Sequence, residues 1–109
     1  MDWVKLKRNQ DSRYWQIFAI PNGGKRGAKA AAQAKAEGIL KGVSDIIIFC
    51  PSGDGRYHGA ALELKAPDGK LRPAQAEFLE RSHCVGMLAR VIRSFDDFQK
   101  VVEGYFRSG

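Results

Sequence analysis

Two acidic residues and a lysine lie within two apolar runs of the sequence that have the character of β-strands. The first run, residues 44–50, reads SDIIIFC and carries Asp45; the second, residues 59–65, reads GAALELK and ends with Glu63 and Lys65. Alternate side chains of a strand share a face, so Glu63 and Lys65 emerge side by side. If the strands pair, Asp45 can join them, which gives two carboxylates for a hard divalent cation and one lysine beside it.

An acid and a lysine at a strand end have a simpler interpretation. Most such pairs are surface ion pairs, which add little to stability. Two further features favour a functional interpretation here: Asp45 begins a β-branched run upstream, and Gln75 follows in the first turn of a predicted helix. His58, in a glycine-rich loop with no partner nearby in the sequence, is predicted to be an exposed side chain rather than a ligand.

The elements that must position these residues follow from hydrophobic periodicity and turn signals. The predicted order is a helix ending at Arg8, a strand over 14–20 closed by Pro21, an alanine-rich helix over 25–37, the two strands above, a helix starting at Pro73, a strand over 87–92 and a last helix capped by Ser94. This order predicts one domain over residues 1–109, of the α/β class, with a central mixed sheet flanked by helices.

The last predicted helix carries one continuous apolar face. Phenylalanine, valine and tyrosine recur at helical spacing, and acids occupy the first turn; the apolar set is Phe95, Phe98, Val101, Val102, Tyr105 and Phe106. The main interpretation is that this face covers the sheet, and the second is that its end takes part in a dimer contact. The two cysteines, Cys50 and Cys84, have apolar neighbours and no metal-ligand spacing, so both are predicted to be reduced core residues.

Composition points to a polyanionic partner. The net charge is +6, and a basic segment follows a glycine turn just before the acidic strands. The candidate nucleic-acid contacts are Asn22, Gly23, Gly24, Lys25, Arg26 and Lys29. A solvated helix face is the alternative interpretation of this charge run. No apolar run is long enough to cross a membrane, and the polar start of the chain lacks a secretion signal, so we expect a cytoplasmic protein.

Several motifs in one order resemble the VRR-NUC branch of the PD-(D/E)xK nuclease superfamily. They are GVSD at 42–45, ELK at 63–65, PAQ at 73–75, the upstream segment FAIPNGGKRG at 18–27, and a closing strand followed by a helix. The resemblance covers nearly the whole chain and implies a restriction-endonuclease-like core. Two departures are visible: Ser44 stands where the family has proline, and the family's acid in a helix before the first strand has no good match, since Asp2 is the only acid there. The N-terminal helix of the domain is therefore expected to be incomplete.

The resemblance implies a metal-dependent DNA endonuclease. It assigns Mg²⁺ or Mn²⁺ to Asp45, Glu63 and the backbone carbonyl of Leu64, and it gives Lys65 and Gln75 roles in catalysis, Gln75 by helping to hold the attacking water or the DNA. The subclass that fits a small stand-alone chain is a phage-type homodimer, active in the host cytoplasm, that cuts branched DNA such as Holliday junctions. Two alternatives stay open: a nuclease-like DNA-binding module that no longer cleaves, favoured by the missing acid, and an α/β interaction domain without nucleic acid.

Overall fold

The described part of the chain alternates short strands with helices. The structure is a computed structural model that describes residues 2–21 and 42–107. Its elements are α1 (Asp2–Arg8), a 3₁₀ helix (Ser12–Gln16), β1 (Ile17–Ala19), β2 (Ile46–Ile48), β3 (Ala60–Leu64), α2 (Pro73–Cys84), β4 (Leu88–Ile92) and α3 (Phe95–Phe106). None of the helices in these two ranges is long and apolar enough to cross a membrane. The predicted helix over 25–37 lies outside the described residues.

The four strands form one mixed sheet in the order β1-β2-β3-β4. β1 and β2 pair antiparallel, as do β2 and β3, whereas β3 and β4 run parallel. A parallel pair needs a crossover connection, and α2 provides it. The predicted α/β class, with a central mixed sheet flanked by helices, is therefore confirmed.

Both faces of the centre of this sheet are buried. One face carries the main apolar core, in which α1 and α3 pack on the strands; its members include Val4, Ile48, Leu62, Phe98 and Val102. The other face carries Ala61 and Glu63 of β3, which are 0% and 2% exposed. α2 packs against this second face, since its Gln75 side chain bonds to Glu63. The acidic face of β3 is thus an interior surface between the sheet and α2.

Some predicted elements are shorter or differ in type. The strand expected over 14–20 is reduced to Ile17–Ala19, because Asp11 caps a 3₁₀ turn by accepting from the Arg13 backbone N–H at 3.0 Å. The strand expected over 44–50 is limited to Ile46–Ile48. The prediction for Cys84 is wrong: it ends α2 and is exposed, whereas Cys50 packs partly buried against the core.

The last helix covers the sheet, as its apolar pattern predicts. The Ser94 hydroxyl accepts from the Asp97 backbone N–H at 3.0 Å and caps the helix. Tyr105 and Phe106 are 4% and 3% exposed, so the suggested use of these two side chains in a dimer contact is wrong. Phe95 departs from the pattern, because it is 57% exposed.

Gly42 fixes how the chain enters the acidic strands. Its φ is +79°, a region that costs a residue with a side chain about 1–2 kcal/mol. A Cβ at this position would lie 2.5 Å from the carbonyl carbon of Ala74 and 2.8 Å from the backbone nitrogen of Gln75. The backbone leading to Asp45 therefore packs directly on the first turn of α2, at a distance that only glycine allows.

We predict that Gly42→Ala lowers the free energy of unfolding by more than about 2 kcal/mol, because conformational strain and backbone overlap add. Two other glycines separate these causes. Gly55 also has positive φ, at +74°, but has open space around an added Cβ, so Gly55→Ala tests strain alone. Gly104, inside α3, has neither problem, so Gly104→Ala is expected to gain roughly 0.5–1 kcal/mol.

Urea unfolding of the three variants measures these differences. A Gly42→Ala protein that loses no more stability than Gly55→Ala would show that the approach to α2 is not tight.

Candidate active site

The strand register brings the two predicted carboxylates together. Ile46 of β2 pairs with Leu62 of β3, so Asp45, one residue earlier, lies across from Glu63, one residue later. The Asp45 carboxylate accepts a hydrogen bond from the Leu64 backbone N–H at 2.8 Å. This bond continues the pairing of β2 with β3 past the end of β2. Residues opposite one another in an antiparallel pair share a face, so both carboxylates point to the side of α2.

Glu63 is the most constrained group of the site. One carboxylate oxygen, Oε1, accepts from the Gln75 amide Nε2 at 2.8 Å and lies 3.9 Å from the Lys65 ammonium. The other oxygen, Oε2, is buried and has no hydrogen-bond partner in the described structure. Burial, together with the neighbouring Asp45 charge, raises the pKa of Glu63 to about 7, although the Lys65 charge acts in the opposite direction. The folded chain therefore favours a proton, or another cation, on this carboxyl.

Gln75 has a single amide orientation that satisfies its neighbours. Its Oε1 accepts from the Arg72 backbone N–H at 2.9 Å, at the start of α2, while its Nε2 donates to Glu63. A glutamate could accept from Arg72 but could not donate to Glu63. The chain reaches this geometry because Pro73 occupies the first helical position, where a missing N–H costs nothing. The side chain thus ties the start of α2 to the acidic strand.

Lys65 follows β3 and is held by the next strand. Its backbone N–H donates to the Ile92 carbonyl at 2.9 Å. The loop after it is held by Arg93, whose Nη1 donates to the carbonyls of Ala66 at 2.9 Å and Gly69 at 2.6 Å. The Lys65 side chain is only 17% exposed. Its ammonium is therefore confined near the carboxylates, where it can stabilise negative charge.

The residues present fit a hard divalent cation. A cation beside Glu63 would relieve both the repulsion from Asp45 and the unpaired state of the buried oxygen. Within residues 2–21 and 42–107, no group of three or more His, Cys, Asp or Glu side chains gathers as a metal site. Two carboxylates without histidine or thiolate suit Mg²⁺, which usually takes one or two carboxylates and keeps several waters.

The structure brings Asp45, Glu63, Lys65 and Gln75 into one cluster. The predicted nucleic-acid contacts, residues 22–26 and Lys29, lie outside the described residues. Sequence reasoning gave no positioning role to Arg93, or to Gly42 beyond its place in the GVSD motif. The sequence contains only a weak signal for Gly42, which is a glycine just before a predicted strand. Nothing in the sequence indicates the carbonyls that Arg93 contacts.

His58 is exposed, as predicted from its loop position. Its ring packs near Gly86, where an added Cβ would approach its Cδ2 within 2.5 Å. Both residues lie at the start of β3 and β4, away from the carboxylates at the other end of β3. This placement separates His58 from the acidic cluster.

Comparisons with family models and with solved structures both find similarity to known proteins. A family model described as the VRR-NUC domain matches residues 3–96, a range that includes all four clustered residues. A solved structure named "VRR_NUC domain protein" is 27% identical, with a TM-score of 0.74, and the alignment covers 99% of this chain and 88% of that chain. No curated protein sequence matches the chain.

The raised pKa of Glu63 predicts how stability depends on pH without metal. An acid whose pKa is raised on folding holds its proton better in the folded state, so stability falls as pH rises from the ordinary value of 4.5 to about 7. Glu63→Gln removes the ionising group. We expect the variant to exceed the wild type in unfolding free energy by roughly 3 kcal/mol at pH 8, and by little at pH 4.

Urea unfolding in EDTA at both pH values measures this gain. The matched control is Glu77→Gln on the outer side of α2, where the side chain is 58% exposed. A gain for Glu63→Gln that is equal at the two pH values would contradict the assignment.

Proposed function

The chain belongs to the VRR-NUC domain family, a nuclease-type family, and we propose that it is a Mg²⁺- or Mn²⁺-dependent endonuclease that hydrolyses phosphodiester bonds in DNA. The resemblance inferred from the sequence motifs is thereby confirmed at the level of the family. The observation that best supports the activity is the buried Glu63 carboxyl, with one oxygen unpaired and Asp45 across from it. Burial of such a carboxylate pair is unfavourable unless a bound cation offsets the negative charge.

Three groups of the site would hold the metal ion. They are the carboxylates of Asp45 and Glu63 and, as the family resemblance implies, the carbonyl of Leu64. When bound, the ion supplies positive charge that neutralises the scissile phosphate and favours attack by water. The hydrogen bond from the Leu64 N–H holds the Asp45 carboxylate at the end of β3. The bond from Gln75 orients Glu63 in the same way.

Lys65 would act on the reacting phosphate. Its ammonium lies 3.9 Å from Glu63 Oε1 and so sits at the margin of the carboxylate pair rather than in a tight ion pair with it. A confined ammonium at this margin can hold the attacking water by hydrogen bonding and stabilise the charge that builds up on the phosphate. Gln75 fixes the carboxylate beside which this happens, so we give it a positioning role rather than direct contact with water.

The finer proposal is a homodimer that acts on branched DNA such as four-way junctions. One site per chain makes one cut, and the two symmetric cuts that resolve a junction need two sites related by a two-fold axis. The buried end of α3 is not free for the dimer contact. An exposed aromatic side chain elsewhere in the described residues, Trp15 at 62% exposed, is available for that contact.

A DNA-binding module without cleavage remains the second candidate. It is favoured by the donor set, because the described residues contribute two carboxylates and no third acid. The cleavage experiment below decides between the two candidates.

We predict that Asp45→Asn and Lys65→Ala each reduce Mg²⁺-dependent cleavage by about 100-fold or more, for different reasons. The first change removes a metal ligand, so Mn²⁺ binding weakens as well. The second change removes only a charge near the phosphate, so Mn²⁺ binding persists. The matched control is Lys5→Ala, on an exposed position of α1.

Single-turnover cleavage of plasmid DNA and calorimetric titration with Mn²⁺ measure the two effects. Wild-type cleavage in Asp45→Asn would refute the metal site. A wild-type chain that binds DNA but never cuts it would support the binding module instead.

The assembly is predicted separately. Light scattering after size exclusion should give twice the mass of the chain, and a synthetic four-way junction should be cut about tenfold faster than a matched linear duplex, since shape rather than base sequence is recognised. A monomer that cuts both substrates equally would leave a general nuclease.

A further inference from the structure

An apolar pocket opens beside the carboxylate site, on the opposite face of the sheet. Its volume is about 330 Å³, within the range of small-molecule and cofactor pockets. It lies where β3 and β4 end and α3 begins. Its apolar lining includes Leu64, Ile92, Phe95 and Phe98, and its charged lining consists of Lys65 and Arg93.

Two of the apolar side chains that line this pocket are exposed to solvent. Phe95 is 57% exposed and Leu64 is 44% exposed, whereas Phe98 and Ile92 behind them are 6% and 2% exposed. Phe95 stacks on Phe98, with ring centroids 6.4 Å apart and an interplanar angle of 24°. The pocket therefore presents one open aromatic ring, backed by a second one that belongs to the core.

The pocket and the carboxylate site share two consecutive residues. Leu64 lines the pocket with its side chain, while its N–H holds Asp45. Lys65 also lines the pocket, and its ammonium reaches to 3.9 Å from Glu63 Oε1. The pocket and the carboxylate site therefore adjoin one another at the end of β3, on the two faces of the sheet.

The charge of the lining favours nucleic acid over an apolar protein segment. The pocket lining includes two cationic side chains, Lys65 and Arg93, and contains no carboxylate. The acids of the first turn of α3, Asp96 and Asp97, lie outside the lining. An apolar slot with cations at its side matches a flat base attached to a phosphate chain, and aromatic rings are common platforms for unpaired bases.

We propose that this pocket receives an unpaired base of the DNA, that of a nucleotide adjoining the cleaved phosphate, and stacks it on Phe95. The inference rests on the proposed nuclease function. A base inside a duplex must first leave its stack, whereas a base at a branch point or in a single strand is already free. The pocket thus allows each chain to bind more tightly to DNA that has unpaired nucleotides next to the cleaved phosphate.

The test compares DNA with and without the base in question. Mg²⁺-dependent cleavage of a branched oligonucleotide first locates the cut. Binding is then measured by fluorescence anisotropy with Ca²⁺ in place of Mg²⁺, using the same DNA with its adjoining bases intact or replaced, one at a time, by an abasic nucleotide. For one of these positions, loss of the base is expected to weaken wild-type binding about tenfold.

Phe95 variants assign that effect to the pocket. Phe95→Ala is expected to bind the intact DNA about tenfold more weakly and to lose the difference between intact and abasic DNA. Phe95→Trp should retain the difference, because it keeps an aromatic surface. The matched control is Phe49→Ala, another exposed phenylalanine, at the opposite end of β2 from Asp45; it should discriminate as the wild type does.

The outcomes separate this inference from the proposed function. A wild type that cuts DNA but is indifferent to every abasic substitution, or a Phe95→Ala protein that still discriminates, overturns the pocket assignment and leaves the nuclease proposal standing. Loss of dimer mass in Phe95→Ala without a change in discrimination also overturns it, and assigns the ring to a contact between copies. A wild type that neither binds nor cuts DNA overturns the proposed function, and the pocket assignment with it.

Discussion

The buried carboxyl group of Glu63 determines how the other residues of the site are arranged. A buried polar atom without a partner costs about 1–3 kcal/mol, and Glu63 Oε2 is such an atom. Its other oxygen has one amide donor, while Asp45 opposes its ionisation from across the strands. The apolar core beneath α1 and α3 has to offset this cost. The chain therefore stabilises one face of the sheet and holds a poorly satisfied acid on the other.

Three supports from distant parts of the sequence hold that acid in place. Gly42 lets the chain before Asp45 touch the first turn of α2, and Gln75 in that turn bonds to Glu63. Arg93, after β4, closes the loop that separates Lys65 from α2. Each support joins the end of β3 to a neighbouring element, so the positions of the carboxylates and the ammonium depend on packing that local sequence does not describe.

The sequence predicted which site residues share a face of the sheet, because alternate side chains of a strand point to the same side. Asp45 and Glu63 fall on one face because β2 and β3 pair in the register that buries their isoleucine and leucine side chains. Gln75 was predicted as a site residue, but its bond to Glu63 was not, since that bond depends on how closely α2 approaches β3. The 3₁₀ turn after Asp11 was missed because a single side-chain cap outweighed the strand tendency of the segment that follows it. The exposure of Phe95 was missed because periodicity assigns a face but not the depth of the pocket beneath it.

If Asp45 and Glu63 form a site for a divalent cation, the titration of the Glu63 carboxyl must respond to that cation. Nuclear magnetic resonance of ¹³C-labelled glutamate carboxyls, with Glu63 identified by its absence from the Glu63→Gln spectrum, gives the titration midpoint with and without Mg²⁺. We expect a pKa of about 7 for Glu63 in the metal-free protein and a clear decrease when Mg²⁺ is added, because the ion competes with the proton for the same carboxyl. A midpoint in the ordinary range of glutamate that Mg²⁺ does not move would show that Glu63 does not bind the cation.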